Sequence, residues 1–428
     1  MEYTKICSTS ILEDLLLSDR FNFTQLTQGA EILNNQLWSR LIPVENKEIN
    51  EKAHRLQKDM FGDQLNKLSR EELKSVMPQV KEVIVDKVRS HTYRWRPMEY
   101  DEFGSFCYLV GRAPLEYAAL RQVLKEIRIL DPLLQPQSCL DFGSGIGTVW
   151  WALKEQFPAS FKEYFSIDSS KYMRDLARFL VQGGQSNQEL STADYSQRSK
   201  LPESCKITYD LVVSAYSLME LHSKRERQEV IKNLWAKTKR HLILIENGTR
   251  AGFQLVQEAR STILDMSNIY NGDDSRAAFY KGYVLAPCTH ELPCQRFSDA
   301  SVNYPCSFQA RYMNILKPDE KAYRTLYSYV VLSRSQPEAL FEGPPCARLI
   351  QKVLLRRKHV ICRMCTSNGD IKEKVFTKGK HNKEVYHAAR SAKWGDLFIF
   401  ENVLCARKIK SNYNIELEKP TDKCSKHR

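Results

Sequence analysis

Residues 138–148 read SCLDFGSGIGT, and this stretch limits the fold more than any other. An apolar run ends in Asp141. Three glycines follow at alternate positions, Gly143, Gly145 and Gly147, and helical spacing starts at Thr148. Glycine reaches positive φ without strain and lets a backbone approach a ligand closely, so the pattern predicts a strand, a tight turn and a helix start. The alternation then repeats. Residues 164–167, 209–215 and 242–245 read as further strands, and residues 172–181, 225–237 and 253–266 as helices. Such alternation predicts a parallel sheet covered on both faces.

LDFGSGIG resembles motif I of class I S-adenosylmethionine (SAM) methyltransferases more closely than a dinucleotide fingerprint, whose first glycine usually follows an apolar strand lacking that Asp. The resemblance implies that Asp141, Gly143, Gly145 and Gly147 line a SAM pocket. Asp168, at the end of the second strand, would accept hydrogen bonds from both ribose hydroxyls. Asp194 is either an adenine contact or a surface acid. No catalytic motif accompanies the pocket. After the fourth strand, amine methyltransferases carry Asn/Asp-Pro-Pro-aromatic; here residues 214–221 read SAYSLMEL. Glu220 is a base or a helix-start carboxylate, and no Cys lies between Cys205 and Cys288 to serve as a nucleophile. Whether the chain is an enzyme stays open.

The 12 cysteines lack a secretory context, so free thiols and metal ligands are expected rather than disulfides. Cys288 and Cys294 (PCTHELPC), Cys306 (YPCSFQARY) and Cys362 and Cys365 (CRMC) are too irregularly spaced for a zinc knuckle of paired CxxC units. Three ligands from one loop and one distant ligand suit a [4Fe–4S] cluster. Cys365 is the expected fourth ligand and Cys362 its alternate. His290 is a ligand or a polar loop residue. Structural zinc and unligated thiols are the competing readings.

Net charge is +13, and most of it is local. Residues 331–428 hold 21 Lys and Arg against 10 Asp and Glu. Polyanions are the natural partners of such a surface, RNA first among them. Arg356, Arg357, Lys358, Lys378 and Lys380 mark its densest parts, and Tyr386, Trp394 and Phe398 are either base-stacking faces or core. No apolar run is long enough to span a bilayer. The first 135 residues read as mostly helical, with a capping box at Ser69 and Glu72. The expected domains are 1–135 helical; 136–266 with 320–345 Rossmann-like; 267–319 Cys-rich; and 346–428 basic, supplying the fourth Cys.

LDFGSGIGTVWWAL, SAYSLMEL, IENGTRAGF, PC-x5-C, CSFQARY and KEVYHAARSAKWGD together span most of residues 93–396. They resemble the mitochondrial methyltransferase-like protein 17 family of small-subunit ribosomal assembly factors, which has yeast and bacterial relatives. The resemblance implies a class I SAM-methyltransferase Rossmann-like sheet with a helical N-terminal region, a Cys-rich iron–sulfur insertion and a small β-rich basic C-terminal extension. It further implies a [4Fe–4S] cluster on Cys288, Cys294, Cys306 and Cys365 or Cys362, and a SAM-type pocket. It implies binding to small-subunit rRNA, ribosomal proteins and other assembly factors in the mitochondrial matrix, as a monomer on the ribosome, in support of translation. An active SAM-dependent rRNA methyltransferase and a structural zinc RNA-binding protein are the alternatives. Two departures stand out. Ser307-Phe308 replaces the His-Phe common after the third ligand, and the acid-containing N-terminus is a poor transit peptide.

Overall fold

The computed structural model describes residues 21–90, 92–184, 194–204, 206–269, 281–298, 304–316, 322–336 and 346–399. The transit-peptide expectation therefore falls outside the described residues.

Five helices precede the sheet: α1 (Phe23–Ser39), α2 (Asn46–Leu65), α3 (Arg70–Ser90), α4 (Glu102–Gly111) and α5 (Ala113–Leu130). The capping box forms, with Ser69 N donating to Glu72 Oε2 at 2.8 Å and Glu72 N to Ser69 Oγ at 3.4 Å. Both are orphan donors of a helix start, which is why that sequence begins α3. Helices α2 and α3 pack on each other through Val80, Ile84 and Val88 against Ile49, Ala53 and Leu56.

The main sheet alternates with helices as expected: β1 (Ser138–Phe142), α6 (Thr148–Gln156), β2 (Glu163–Ile167), α7 (Lys171–Val181), β3 (Tyr195–Arg198), β4 (Tyr209–Ala215), α8 (Lys224–Ala236), β5 (Thr238–Asn247) and α9 (Arg250–Ile269). Then come β6 (Tyr283–Ala286), a short helix α10 (Gln295–Ser298), β7 (Phe308–Tyr312) and β8 (Tyr323–Ser333). The order is β3-β2-β1-β4-β5-β8-β6, with β7 on β8. Strands β1 to β5 are parallel, and the order reverses between β1 and β4. Beyond the carboxyl ends of strands at such a reversal lies the ligand crevice of doubly wound sheets.

Two expectations need correction. The sheet is mixed, because β8 runs antiparallel to β5, β6 and β7. The step from Tyr312 to Tyr323 is too short for a crossover helix, so the two strands it joins pair antiparallel. Nor is 267–319 set apart from the sheet, since it supplies β6 and β7.

The C-terminal part is a second sheet: β9 (Cys346–Leu349), β10 (Leu354–Leu355), β11 (His359–Thr366), β12 (Ile371–Thr377), α11 (Lys383–Ser391) and β13 (Leu397–Ile399). Its core includes Leu349, Val360, Cys362, Met364, Phe376, Tyr386 and Phe398. Tyr386 and Phe398 are 2% and 5% exposed, so they are core residues, not free stacking faces.

Candidate functional site

The glycine turn has the conformation that its sequence predicts. Gly143, Gly145 and Gly147 sit at φ 71°, 51° and 83°. A Cβ on Gly143 would stand 2.3 Å from Ser217 Cβ, so the turn and the segment after β4 pack too closely for any side chain. Asp168, at the end of β2, accepts from Gly145 N and Ser170 N, both at 2.8 Å. Each oxygen keeps acceptor capacity for a ribose. Asp141 is 1% exposed and bonded to the Tyr164 hydroxyl. Burial lifts its carboxyl to about 7, against the Tyr164 bond and with help from the Asp168 charge. Asp194 opens β3 at its amino end. That is the far end from the glycine turn, so it is not an adenine contact.

A further acid lies at the carboxyl end of β5. Glu246 is 1% exposed and accepts from Leu218 N at 2.9 Å. Burial raises it to about 8. Asp141 Oδ1, Glu246 Oε2 and Tyr216 Oη are buried without a hydrogen-bond partner among the described residues. Tyr216, directly after β4, is a non-glycine residue at φ 58°. Backbone strain of this kind concentrates at ligand sites.

The N-terminal region roofs this end of the sheet. Arg40 is 5% exposed, is paired with Glu220, and donates to Arg96 O at 2.8 Å. Met98 N donates to Glu220 Oε2 at 2.8 Å and Trp95 Nε1 to Met219 O at 3.0 Å. Glu220 is thus tied to an arginine and an amide, not poised as a base. Arg112 donates to Glu116 at 2.7 Å and lies 4.8 Å over the Tyr216 ring.

The second constellation is the cysteine cavity. Cys288 follows β6, Cys294 precedes α10, Cys306 precedes β7, and Cys365 lies on β11. All four line one cavity, together with Arg296 and Arg348. Cys362 does not. Side chains alternate along a strand, so residues three apart point to opposite faces. Cys362 therefore sits in the small-sheet core, fully buried.

Three buried arginines clamp the cysteine loop by its carbonyls. Arg260 donates to His290 O and Leu292 O at 3.0 Å, Arg296 to Pro305 O at 3.0 Å, and Arg348 to Pro287 O at 2.7 Å. Of these, only Arg348 has a carboxylate partner among the described residues, Glu126 at 2.6 Å. Arg260 Nε and Arg348 Nη2 are buried without a partner there. His290 Nε2 lies 3.2 Å from Cys365 Sγ. Burial raises the Cys288 thiol, raises Cys306 further, and lifts Cys365 to about 12, the neighbouring thiols adding to it. Among the described residues, no three His, Cys, Asp or Glu side chains form a group that could hold a single metal ion. Sequence reasoning missed the arginines, which carry no local motif.

The basic residues gather at one end of the small sheet. Arg356, Arg357 and Lys358 form the exposed β10–β11 turn, and Lys378 and Lys380 the exposed turn after β12. The register places His359 opposite Thr377, which brings the two turns side by side. Arg390 joins them, donating to Arg356 O at 3.3 Å.

Comparison with known proteins is consistent across most of the chain. A family model described as "Mitochondrial small ribosomal subunit Rsm22" matches residues 102–399. The human protein "Ribosome assembly protein METTL17, mitochondrial" is 36% identical over 369 residues, 86% of this chain and 77% of that protein. "Rsm22-cox11 tandem protein 2, mitochondrial" of Schizosaccharomyces pombe is 26% identical over 357 residues, 75% of this chain and 45% of that protein. Among solved structures, magnesium protoporphyrin IX methyltransferase from Synechocystis PCC 6803 aligns with TM-score 0.31 and 15% identity, covering 51% of this chain and 79% of that one. A putative RNA methyltransferase from Pyrococcus horikoshii aligns with TM-score 0.30 and 11% identity, covering 50% and 81%. Both likenesses are loose.

Proposed function

The chain belongs to the Rsm22 family of mitochondrial small ribosomal subunit proteins, and from that premise we propose a mitochondrial assembly factor that binds small-subunit rRNA and carries a [4Fe–4S] cluster. Cys288, Cys294, Cys306 and Cys365 would hold the cluster. The observation that carries this reading is the convergence of four thiols, three from the cysteine loop and one from β11, on a cavity edged by buried arginines.

The donor set fits the group. A cubane bound by four thiolates is a net anion, and Arg260, Arg296 and Arg348 are buried cations, two of which, Arg260 and Arg348, keep an N–H group without a partner among the described residues. A single zinc ion would need its thiolates gathered around one point. Among the described residues the cavity shows no such single-ion group, and metal analysis decides between zinc and a cluster. When bound, the cluster would supply metal–thiolate bonds joining the cysteine loop to β11 of the basic sheet. The arginines then orient the loop through its carbonyls and balance its charge.

The glycine-turn end fits a SAM-type ligand on different grounds. Asp141 Oδ1 and Glu246 Oε2 are unpartnered buried acceptors, suited to a ligand bearing positive charge. Gly143, Gly145 and Gly147 allow close approach, and Asp168 would take the ribose. SAM, when bound, would supply an electrophilic methyl group. The chain presents no proline-bracketed acceptor motif, and Arg40 and Glu220 occupy each other beside β4. This favours a ligand-binding assembly factor over an active rRNA methyltransferase. Partners would be rRNA, ribosomal proteins and other assembly factors, with the protein acting as a monomer on the ribosome. Among the described residues no helix is long and apolar enough to cross a membrane.

Anaerobic purification with iron and acid-labile sulfide analysis tests the proposal. About four of each per chain are expected, with loss of both in the Cys288→Ser/Cys294→Ser variant. Zinc alone, or no metal, would overturn the cluster.

A further inference from the structure

The small C-terminal sheet has a connectivity that identifies what kind of RNA its basic turns would meet. Strands β9 and β10 lie end to end along the same edge of β11. Leu349 to Ala347 pair with residues 364–366, and Leu354 and Leu355 with Ile361 and Val360. They act as one broken first strand. On the other edge of β11 runs β12, and β13 pairs with β9. Helix α11 falls between β12 and β13. Renumbered as strands one to four, the order is 3-2-1-4, antiparallel throughout, with a helix between three and four. That is the path of the first four strands of a five-stranded oligonucleotide-binding (OB) barrel, whose ligands lie on the face of strands two and three, edged by the loop joining strands one and two.

Two independent features coincide on that face. The loop between strands one and two is Arg356–Lys358, part of the basic cluster. The exposed face of strands two and three carries an apolar row directly beneath it. Register places Leu354 opposite Ile361 and Ile361 opposite Val375, so the three share one face across three strands. Val375 is 45% exposed. The next row up is His359 with Thr377, then the basic turns. The other face is the sheet core, with Val360, Cys362 and Phe376. Residues 346–399 hold 13 Lys and Arg against four Asp and Glu, so the face sits in a positive field.

We propose that the β11–β12 face, from the Leu354–Ile361–Val375 row to the Arg356–Lys358 turn, binds a single-stranded segment of RNA rather than a duplex. Phosphates would meet the turn, and unpaired bases and sugars would meet the apolar row and His359. Duplex RNA buries its base faces and offers only phosphate and 2′-hydroxyl contacts, which an apolar row cannot use. This rests on the RNA-binding reading above and narrows it.

The test uses the cluster-loaded full chain with two probes, a 12-nucleotide oligo(U) and a 12-base-pair RNA duplex. Oligo(U) is expected to bind about tenfold tighter than the duplex. Ile361→Thr/Val375→Thr keeps strand propensity and should weaken oligo(U) about three- to tenfold, with duplex binding, salt slope and iron content unchanged. Arg356→Ala/Arg357→Ala/Lys358→Ala should flatten the salt slope by about two, at roughly 0.7 per charge. Duplex binding equal to or tighter than oligo(U), or no response to the threonine pair, overturns the inference while leaving RNA binding in place. If neither probe binds, the RNA-binding reading itself fails.

Discussion

At the glycine turn the unpartnered buried groups are two acids and a phenol, Asp141 Oδ1, Glu246 Oε2 and Tyr216 Oη. At the cysteine cavity they include the guanidinium donors Arg260 Nε and Arg348 Nη2. The first is a region of spare carboxyl and phenol oxygens, and the second a region of spare cationic donors beside four thiols. A buried polar group without a partner is expensive, so its sign reports the ligand that the fold awaits. The two ends of one chain thus call for ligands of opposite charge. They also differ in closure. Around the acids, the chain's own Arg40, Arg112 and Gly145 N already answer several carboxylates. Around the thiols, Arg260 and Arg296 have no carboxylate to answer them among the described residues. The cysteine end is therefore the less complete of the two without a ligand.

The largest break in this contrast comes from Cys306→Ser. It removes one proposed ligand and leaves Arg260 and Arg296, which have no carboxylate partner among the described residues, facing an uncompensated cavity. Stability should fall by about 3–5 kcal/mol, the usual penalty for a buried charge deprived of its partner. Iron content, read with thermal unfolding of the same sample, should collapse. Cys362→Ser is the control three residues from Cys365 on the same strand. It places a hydroxyl in an apolar core and should cost about 1–3 kcal/mol with iron unchanged. Iron loss in Cys362→Ser with iron kept in Cys365→Ser would make Cys362 the fourth ligand in place of Cys365.

Next in size is Gly143→Ala. The added carbon meets Ser217 Cβ at 2.3 Å and sits at φ 71°. Positive φ and overpacking together should cost about 2–4 kcal/mol. The damage should stay at the acidic end, so iron per folded chain should match the parent. Iron loss would mean that the two regions are coupled through the sheet, and the contrast would no longer describe separate sites.

Much of this was legible before the fold. The glycine spacing predicted three positive-φ positions, and all three occur. The strand–helix alternation predicted β1, β2, β4 and β5 but not β3, because 3.6- and 2-residue periods differ over even short runs and the short polar β3, YSQR, shows neither. Ser69 and Glu72 announced the start of α3. The antiparallel β8 was not legible, since a strand's direction is set by connection length and not by its own residues. Strands β6 and β7 are only 4 and 5 residues long and lie in a proline-containing stretch that interrupts the strand–helix alternation, so no repeat announced them. CRMC left Cys362 as an alternate to Cys365, and strand geometry sends the two to opposite faces. Arg40 meets Glu220 across 180 positions, and Arg260 and Arg348 reach the cysteine loop from distant elements. Long-range partners of this kind leave no local pattern.

The smallest effect is also the most diagnostic of charge sign at the acidic end. Burial raises Asp141 from 3.8 to about 7 and Glu246 from 4.5 to about 8. Both folded values lie above the unfolded ones. Below about pH 4 both states are protonated, and the groups contribute nothing to pH dependence. As pH rises, the unfolded chain loses its protons first, so stability falls until pH passes about 7 for Asp141 and about 8 for Glu246. Asp141→Asn keeps an acceptor for the Tyr164 hydroxyl but removes the titration. Measured by urea unfolding of parent and variant side by side, the variant should gain about 2 kcal/mol relative to the parent between pH 5.5 and 8.5. A parallel shift at both pH values would show that Asp141 is already ionised, with a positive partner answering it. A cationic ligand at the glycine turn should produce that same flattening in the parent chain, because it favours the charged carboxylate. An anionic ligand should leave the pH dependence as steep as before, or steepen it.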